Sequence, residues 1–250
     1  MPAVHDVATL SAAVTAFRPD ELRLTVSPDA AEAVRASLGS SGVVLLGEIH
    51  GVRENPQISF AVMREFGIGG LALEWPVSAT ASVAAWRDGG PLPQDDALWC
   101  GDGRMTAGHY ALLRARPGGA RPAVLLFDVA ALPAGATWSD RDAAMGTAVL
   151  GAPAVAGGWL VVAGNAHTVT EPTHLGVPMG HHVARARPGV RPIGITYRAG
   201  AYYNLAPQRL GPPGDGEPGT ATLHVTGERL VLELAEAHEA DVPHRPGPVP

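Results

Sequence analysis

Short apolar runs that end in glycine or in a carboxylate recur along the chain, and turn residues or helical patterns separate them. The runs lie at 43–47, 71–74, 123–128 and 159–163. Apolar runs of this length are typical of strands buried on both faces, and helical patterns between such strands predict a parallel sheet. We therefore predict an α/β fold, in which a central, mostly parallel sheet carries helices on both faces.

Capping and turn residues place the other elements. Helices are predicted at about 28–38, 54–66, 79–86, 106–116 and 139–150. Ser27 is the predicted N-cap of the first helix, and Ser139 with Asp142 is the predicted capping box of the last. Further strands are predicted at 22–26, as a short edge strand, and at 191–197. A turn at Thr226-Gly227-Glu228 predicts a C-terminal β-hairpin of residues 222–225 and 229–234.

We expect a single domain from residue 1 to about residue 240. Two stretches rich in glycine and proline, 89–103 and 206–219, are predicted to be loops, and the first is long enough to be a lid or specificity loop. Residues 241–250 contain four prolines and are predicted to be disordered.

Composition narrows the possible functions. Hydrophobic residues make up 46% of the 250 residues, enough for a full core, yet no apolar run approaches the roughly 20 residues of a membrane span. The single Cys100 excludes an internal disulfide framework, and the first residues lack the pattern of a secretory signal, so we expect a cytoplasmic protein without a membrane partner. All 18 basic residues are arginine, which excludes lysine chemistry. Their dispersal, with a net charge of −6, argues against nucleic-acid binding, and the sequence does not indicate the oligomeric state.

Two of the predicted strands are followed by the same pattern, a glycine with a histidine three residues later. The first pair is Gly47 and His50, and the second is Gly164 and His167. Because ligands bind at the carboxyl ends of the strands in α/β sheets, we expect both histidines in one site. Other polar residues that end or follow these strands are Glu48, Glu74, Asp128 and Asn165.

Four motifs resemble those of a known superfamily, which groups erythromycin esterase-like enzymes, ChaN-like haem-uptake proteins, and the Tiki and TraB/PrgY proteins. The motifs are Leu-Gly-Glu-Ile-His-Gly at 46–51 followed by Glu54, Leu-Glu at 73–74, Arg141-Asp142-x-x-Met145, and Gly-Asn-Ala-His at 164–167. The resemblance implies an α/β fold with these motifs in one cleft. It also implies one of three activities: hydrolysis by a histidine-activated water, metal-dependent peptide hydrolysis, or haem binding.

We expect an acid–base enzyme that hydrolyses an ester, lactone or amide of a small-molecule or peptide-like substrate. His50 would take a proton from water, Glu74 would orient His50, and His167 would assist the leaving group. Arg141 would stabilise the oxyanion, and Glu48 would position the water. Residues expected to contact the substrate are Glu54, Asp128, Asn165 and Asp142. The same acid–base groups could run an elimination or a cyclisation in natural-product biosynthesis.

Two cofactor hypotheses stay open beside this cofactor-free one. Glu48, His50, Glu74 and His167 are acceptable ligands for a divalent ion, although metal-free catalysis needs no further group. A haem-binding protein without catalysis would use His167, His174 or Tyr202 as its axial ligand.

Several residues also have simpler interpretations. Arg141 could pair with Asp140 or Asp142 at the surface, and Glu54 could pair with Arg53 or Arg64. His109 is interpreted as a packing residue of its helix. His181 and His182 are interpreted as strand neighbours, whose side chains point to opposite faces and do not share one ion.

Overall fold

The predicted apolar runs form four neighbouring strands, from the middle to one edge of a sheet of nine described strands. The computed structural model describes residues 7–93, 102–129, 132–204, 206–211 and 219–240. Its strands are β1 (Arg23–Val26), β2 (Val43–Glu48), β3 (Gly70–Pro76), β4 (Ala123–Asp128), β5 (Trp159–Gly164), β6 (Pro192–Asn204), β7 (Ala206–Leu210), β8 (Thr220–Thr226) and β9 (Arg229–Ala237). They lie in the order β1-β8-β9-β6-β2-β5-β3-β4, and β7 pairs with β6.

Strands β2, β5, β3 and β4 are neighbours and run parallel, so their carboxyl ends lie at one edge of the sheet. In the register of β2 and β5, Val43 pairs with Trp159 and Glu48 pairs with Gly164. Across the described residues, the pairings are parallel except those of β6 with β7 and of β8 with β9.

Helices cover both faces of the sheet. They are α1 (Val7–Ala16), α2 (Pro28–Ser41), α3 (Asn55–Phe66), α4 (Thr80–Arg87), α5 (Ala107–Arg114), α6 (Trp138–Leu150), α7 (Asn165–Thr168) and α8 (Met179–Ala186), and a short 3-10 helix at Val77–Ala79 precedes α4. Successive side chains of a strand point to opposite faces. Val44 and Leu46 of β2 accordingly pack in one core with α1 to α5, whereas Val43 and Leu45 pack in a second core with α6 and α8.

The predicted fold class is confirmed. The chain forms an α/β domain with a mostly parallel central sheet, helices on both faces and a C-terminal antiparallel pair, β8 and β9. The edge position of β1 and the N-cap at Ser27, whose hydroxyl accepts from Ala30 N–H at 3.4 Å, are also confirmed. The hairpin is part of the main sheet, because β9 pairs with β6 and β8 pairs with β1.

Three local predictions are wrong. Helix α6 is capped by Thr137 with Asp140, not by Ser139 with Asp142, because the helix begins at Trp138. Residues 206–210 form β7 instead of a loop, because they pair antiparallel with the extended end of β6. The histidines at 181 and 182 lie on α8 and not on a strand.

Some predictions concern residues outside the described ranges. They include the central part of the predicted lid, 94–101, with Trp99 and Cys100, and the proline-rich residues 241–250. Among the helices that the structure describes, none is both long enough and apolar enough to cross a bilayer.

Candidate active site

Charged side chains and imidazoles gather at the carboxyl edge of β2, β5, β3 and β4. Glu48 and Asp128 are the last residues of their strands, and Glu74 lies near the end of β3. His50 follows β2 in a turn, and His167 lies in α7, directly after β5. The topology therefore brings the two Gly-x-x-His patterns and the strand-end carboxylates into one cluster.

Glu48 and His50 form one carboxylate–histidine pair. The Nδ1 of His50 lies 3.1 Å from Glu48 Oε1, within hydrogen-bonding distance. Burial raises the pKa of Glu48, but the neighbouring His109 and His50 outweigh burial and lower that pKa to about 2. Burial lowers the pKa of His50, but Glu48, Glu74 and Asp102 outweigh it and raise that pKa above its ordinary value. Glu48 is therefore an anion at neutral pH that holds Nδ1–H and leaves Nε2 as the basic nitrogen.

Asp142 and His167 form a second pair of the same kind. The Nδ1 of His167 lies 2.8 and 2.9 Å from the two carboxylate oxygens of Asp142, one of which also accepts from Met179 N–H at 2.7 Å. Asp142 is fully buried. Trp138 stacks on the His167 ring, with centroids 5.0 Å apart and 18° between the planes. These contacts fix the ring and direct its Nε2 towards the centre of the cluster.

Glu74 lies between the two histidines. Its Oε2 is 3.7 Å from His50 Nε2, and its Oε1 is 3.6 Å from His167 Nε2. Oε1 accepts from Arg104 and Arg141 at 2.8 Å each, and Oε2 accepts from Gly164 N–H at 2.9 Å. Burial raises the pKa of Glu74, but the surrounding histidines and arginines outweigh burial and lower it. An anionic Glu74 can therefore stabilise a proton on either Nε2.

The two arginines are held by carboxylates of the cluster. Arg141 Nε donates to Asp128 at 2.9 Å, and its Nη1 lies 3.3 Å from His167 Nε2. Arg104 donates to the other Asp128 oxygen at 2.9 Å and, through Nε, to Asp102 at 2.7 Å. Their positive charge is therefore used to fix and neutralise Glu74 and Asp128.

The turn that carries His50 is attached to three distant parts of the chain. Gly51 N–H donates to Gly103 O at 3.0 Å, and Gly51 O accepts from Tyr203 N–H at 3.1 Å and from Ala240 N–H at 2.9 Å. Gly51 has a φ of 74°, and a Cβ there would lie 1.7 Å from Tyr203 O. Only glycine fits this crossing point, which explains the glycine that follows His50.

The structure changes the expected role of several residues. Glu48, and not Glu74, holds the Nδ1 of His50, so the predicted orienting role of Glu74 is wrong. Asp142 was expected to contact the substrate, but it is fully buried and both of its oxygens bond to His167. Among the described residues, each side-chain nitrogen of Arg141 has one contact, to Asp128, His167 or Glu74, so Arg141 holds these three groups together. Its stabilisation of an oxyanion stays a prediction.

Two expected substrate contacts are also better explained by structure. Glu54 accepts from the backbone N–H of His238 at 3.0 Å and lies 2.7 Å from its ring Nδ1, and the structure shows no bond from Glu54 to the described residues of the cluster. Asn165 lies at the cluster, where its side-chain oxygen would be 2.5 Å from a Cβ at position 47. Gly47 is therefore needed for α7 to pack on β2.

Three residues of the cluster were missed in the sequence, Asp102, Arg104 and His109. The first two lie at the end of the predicted loop 89–103 or just after it, where no hydrophobic period indicates a position. His109 is buried on α5 and directs Nε2 at Glu48 Oε2, 3.8 Å away. The one local indication of its position is Thr106, the N-cap of α5, which lies three residues before His109 and so places His109 in the first turn of the helix.

The cluster is a poor fit for a divalent metal ion. Glu74, the carboxylate between the two Nε2 atoms, already accepts from two guanidinium groups and one backbone N–H. A metal ion bound to Glu74 would lie beside both guanidinium charges, which supply the positive charge that an ion would bring. The donor set therefore favours ion-paired acid–base groups over metal ligands.

Two cavities in the described part of the chain lie at opposite edges of the sheet. The small one has about 10 Å³ for the centre of a water molecule and is bounded by side chains of the cluster, including Glu48, His50, Glu74 and His109. A groove of about 570 Å³ lies at the amino ends of β2 and β5 and is lined by Arg35, Phe66 and Arg187 among others. Its described lining holds no histidine or carboxylate, whereas the smaller site holds two histidines and two carboxylates.

Comparisons with known proteins identify the fold and go no further. No family model matches the chain, and no curated protein matches it. A crystal structure of a Bacillus cereus protein is similar to it, with a TM-score of 0.56 and 10% sequence identity. The match covers 95% of this chain and 99% of the Bacillus cereus chain. At this identity the similarity shows a shared fold, and it supports the α/β architecture described above.

Proposed function

We propose that the protein is a general acid–base enzyme that hydrolyses an ester, lactone or amide. One observation carries the proposal: two histidines, each held at Nδ1 by a buried carboxylate, direct their Nε2 atoms at the two oxygens of Glu74. Paired imidazoles that share one stabilising carboxylate can exchange protons with a substrate in both directions. Their side chains are 13% and 9% exposed, so neither imidazole is fully sealed from solvent.

The geometry supports the following steps. His50 Nε2 takes a proton from water, and the water oxygen bonds to the carbonyl carbon of the substrate as the π electrons of the C=O bond move onto its oxygen. The resulting oxyanion re-forms the C=O bond when the leaving group departs. Glu48 and Glu74 stabilise the imidazolium that forms. His167, protonated at Nε2, then gives its proton to the leaving oxygen or nitrogen as the bond to carbon breaks. Transfer of a proton from His50 to His167, through solvent at the site, restores the starting state.

The charges of the site favour a substrate that is neutral near its reacting bond. The cluster contains the carboxylates of Glu48, Glu74, Asp102, Asp128 and Asp142 and the two guanidinium groups of Arg104 and Arg141. Because both guanidinium groups are paired internally, an anionic substrate would meet excess negative charge. Neutral esters, lactones and amides avoid this repulsion.

The same groups could also catalyse an elimination or a cyclisation, since no enzyme nucleophile is required. The haem hypothesis has less support. His167 Nε2 lies 3.3 Å from Arg141 Nη1, so an iron ion bound to it would lie beside a guanidinium cation, and His174 lies exposed beyond α7. Tyr202 lies on β6, outside the cluster, and haem binding stays a prediction.

The test is a panel of neutral esters, lactones and amides, assayed with the wild type and with His50→Gln and His167→Gln. His174→Gln is the matched control, because it makes the same change at an exposed histidine. We expect the first two variants to lose about 10²–10⁴-fold in kcat/KM, the contribution of a general acid or base. We expect the control to keep wild-type activity. Wild-type turnover by His50→Gln would refute the mechanism.

Hydrolysis differs from elimination and cyclisation because it places an oxygen atom from water in the product. Turnover in H₂¹⁸O should place ¹⁸O in the carboxylate product of a hydrolysis and none in the product of an elimination or cyclisation. Because the pKa of His50 is raised, we expect the rate to increase with pH through a value above 6.5, as Nε2 loses its proton.

A further inference from the structure

Within the described part of the chain, Glu48 forms a hydrogen bond through only one of its two carboxylate oxygens. Oε1 bonds to His50, whereas Oε2 has no hydrogen-bond partner among the described residues, although the side chain is only 3% exposed. Buried carboxylate oxygens are normally hydrogen-bonded, because burial removes their solvation without replacing it. In this part of the chain, Oε2 is therefore an acceptor that a buried water molecule can satisfy.

His109 lies on the other side of this oxygen. Its Nε2 is 3.8 Å from Glu48 Oε2, too far for a direct hydrogen bond and consistent with a bridging water. At the opposite nitrogen, Thr106 Oγ1 is 2.9 Å from His109 Nδ1. If the Thr106 hydroxyl donates to Nδ1, the proton of a neutral His109 sits on Nε2 and faces the carboxylate. The other tautomer would direct a lone pair at the negative oxygen, so the field of Glu48 selects Nε2–H.

The small cavity provides the space for the bridge. It is lined by Glu48, His50, Leu73, Glu74, Trp75, Arg104, His109 and Val162, and it has about 10 Å³ for the centre of a water molecule. A buried water needs two to four polar partners, and Glu48 Oε2 and His109 Nε2–H supply an acceptor and a donor.

We propose that one buried water bridges His109 Nε2 and Glu48 Oε2, and that His109 is thereby a positioning residue for the Glu48–His50 pair. The hydrogen-bonded chain runs from Thr106 through His109 and the water to Glu48, and from there to His50. It connects α5 to the strand-end pair and makes the protonation of His50 depend on a side chain that never reaches the substrate. The inference concerns protonation alone, so it stands or falls separately from the proposed hydrolysis.

The direction of the effect follows from the groups around the pair. His50 faces Glu48 on its own strand end, Glu74 on β3 and Asp102 in the adjoining loop, with Arg104 beyond them. Glu48 also lies near Tyr197 on β6. Removing the donor at His109 leaves these other groups in place. Glu48 then loses a competing hydrogen bond and holds Nδ1–H of His50 more strongly, so the titration of His50 moves to higher pH.

The test is ¹⁵N and ¹H NMR of the full chain with labelled histidine, with signals assigned through single His→Gln variants. In the wild type we expect His109 to be the Nε2–H tautomer at neutral pH, with a cross-peak from this proton to water. We expect His109→Leu to raise the midpoint of the His50 titration by about 0.5–1 pH unit, the equivalent of one hydrogen bond. His109→Gln, whose amide can donate in place of Nε2–H, should restore most of the wild-type midpoint.

If His109 only filled space in the core, its proton would not be fixed on Nε2. His109→Leu and His109→Gln would then have similar effects on the His50 titration. The wild-type measurement needs no substitution, so it holds even if His109→Leu fails to fold. A His109 that carries its proton on Nδ1 would overturn the proposal. An unchanged His50 midpoint in folded His109→Leu would overturn it as well.

Discussion

Replacing Asp142 by Asn removes the charge of a fully buried carboxylate while keeping its shape. One oxygen of Asp142 accepts from Met179 N–H at 2.7 Å, and an amide can accept this bond only with its own oxygen. The amide nitrogen of the substituted side chain must then face His167 Nδ1, where it can only donate. The amide oxygen stays 2.9 Å from His167 Nδ1, but the nitrogen takes the nearer position at 2.8 Å and opposes a proton there. The variant therefore favours a His167 with its proton on Nε2, facing the Nη1 of Arg141, which lies 3.3 Å away in the wild type.

The size of the effect follows from these contacts. Hydrogen bonds to a charged group each contribute about 1.5–3 kcal/mol, and neutral ones about 0.5–1.5 kcal/mol. Asp142→Asn converts the bond from Met179 into a neutral one and makes position 142 the donor to His167. The Nε2–H of His167 and the Nη1–H of Arg141 then face each other as two donors. We therefore expect the free energy of unfolding to fall by about 2–4 kcal/mol. We expect turnover of any substrate found to fall by about 10²–10⁴-fold, because His167 can no longer carry protons on both nitrogens and a neutral Nε2–H is a much weaker acid.

Urea denaturation and ¹⁵N NMR of labelled histidine test both parts without a known substrate. The matched control is Asp140→Asn, two residues earlier on the same helix, where an exposed carboxylate caps α6 and an amide oxygen can still accept. We expect this control to cost less than about 1 kcal/mol and to leave His167 unchanged. Wild-type stability in Asp142→Asn, or a His167 that keeps its proton on Nδ1, would refute the reasoning.

Three further predictions concern the Glu48–His50 pair and the turn that follows it. Since the pKa of Glu48 is lowered from 4.5 to about 2, its charge stabilises the fold above pH 4.5, and this stability, on the order of 3 kcal/mol, is lost as the pH falls towards 2. Urea denaturation across that range should show that the free energy of unfolding depends less on pH in Glu48→Gln than in the wild type. Equal slopes in the two proteins would contradict a stabilising charge at Glu48. Since the pKa of His50 is raised, its contribution is present below pH 6.5 and is lost as the pH rises through the folded value, so the destabilisation caused by His50→Gln should shrink at alkaline pH in the same assay. Chemical denaturation should show that Gly51→Ala, whose Cβ would overlap Tyr203 O, lowers the free energy of unfolding by more than about 4 kcal/mol. Gly42→Ala, with a similar φ but open space around its Cβ, should lower it by about 1–2 kcal/mol. Similar losses in the two variants would argue against the overlap.

The sheet and the place of the site were predictable because both depend on local patterns. A strand buried on both faces must be apolar throughout, so 43–47 and 159–163 were recognisable without any knowledge of their partners. Parallel pairing of such strands brings their carboxyl ends to one edge, and this placed His50 and His167 in the same cluster. The end of β6 and β7 were missed because this part of the chain has no comparable apolar run.

The pairing of side chains within the site was not predictable, because it depends on geometry between distant segments. Asp142 and His167 are 25 residues apart, and Arg104 is 30 residues from Glu74. Nothing in the spacing of these residues indicates which carboxylate meets which imidazole. Glu48 lies 3.1 Å from His50 Nδ1 and Glu74 lies 3.7 Å from Nε2, so the orientation of the ring decides which carboxylate meets which nitrogen.

The hydrogen bonds of Gly51 have a consequence for biosynthesis. Its partners, Gly103, Tyr203 and Ala240, are made progressively later on the ribosome. Contacts of such high sequence separation form late, after much of the chain has been ordered. A nascent chain can therefore pair β2 with β5 and β3 with β4 before residue 240 emerges and closes the turn at residues 49–54. Translation that stops short of residue 240 would release a protein with most of its core and an incomplete active site.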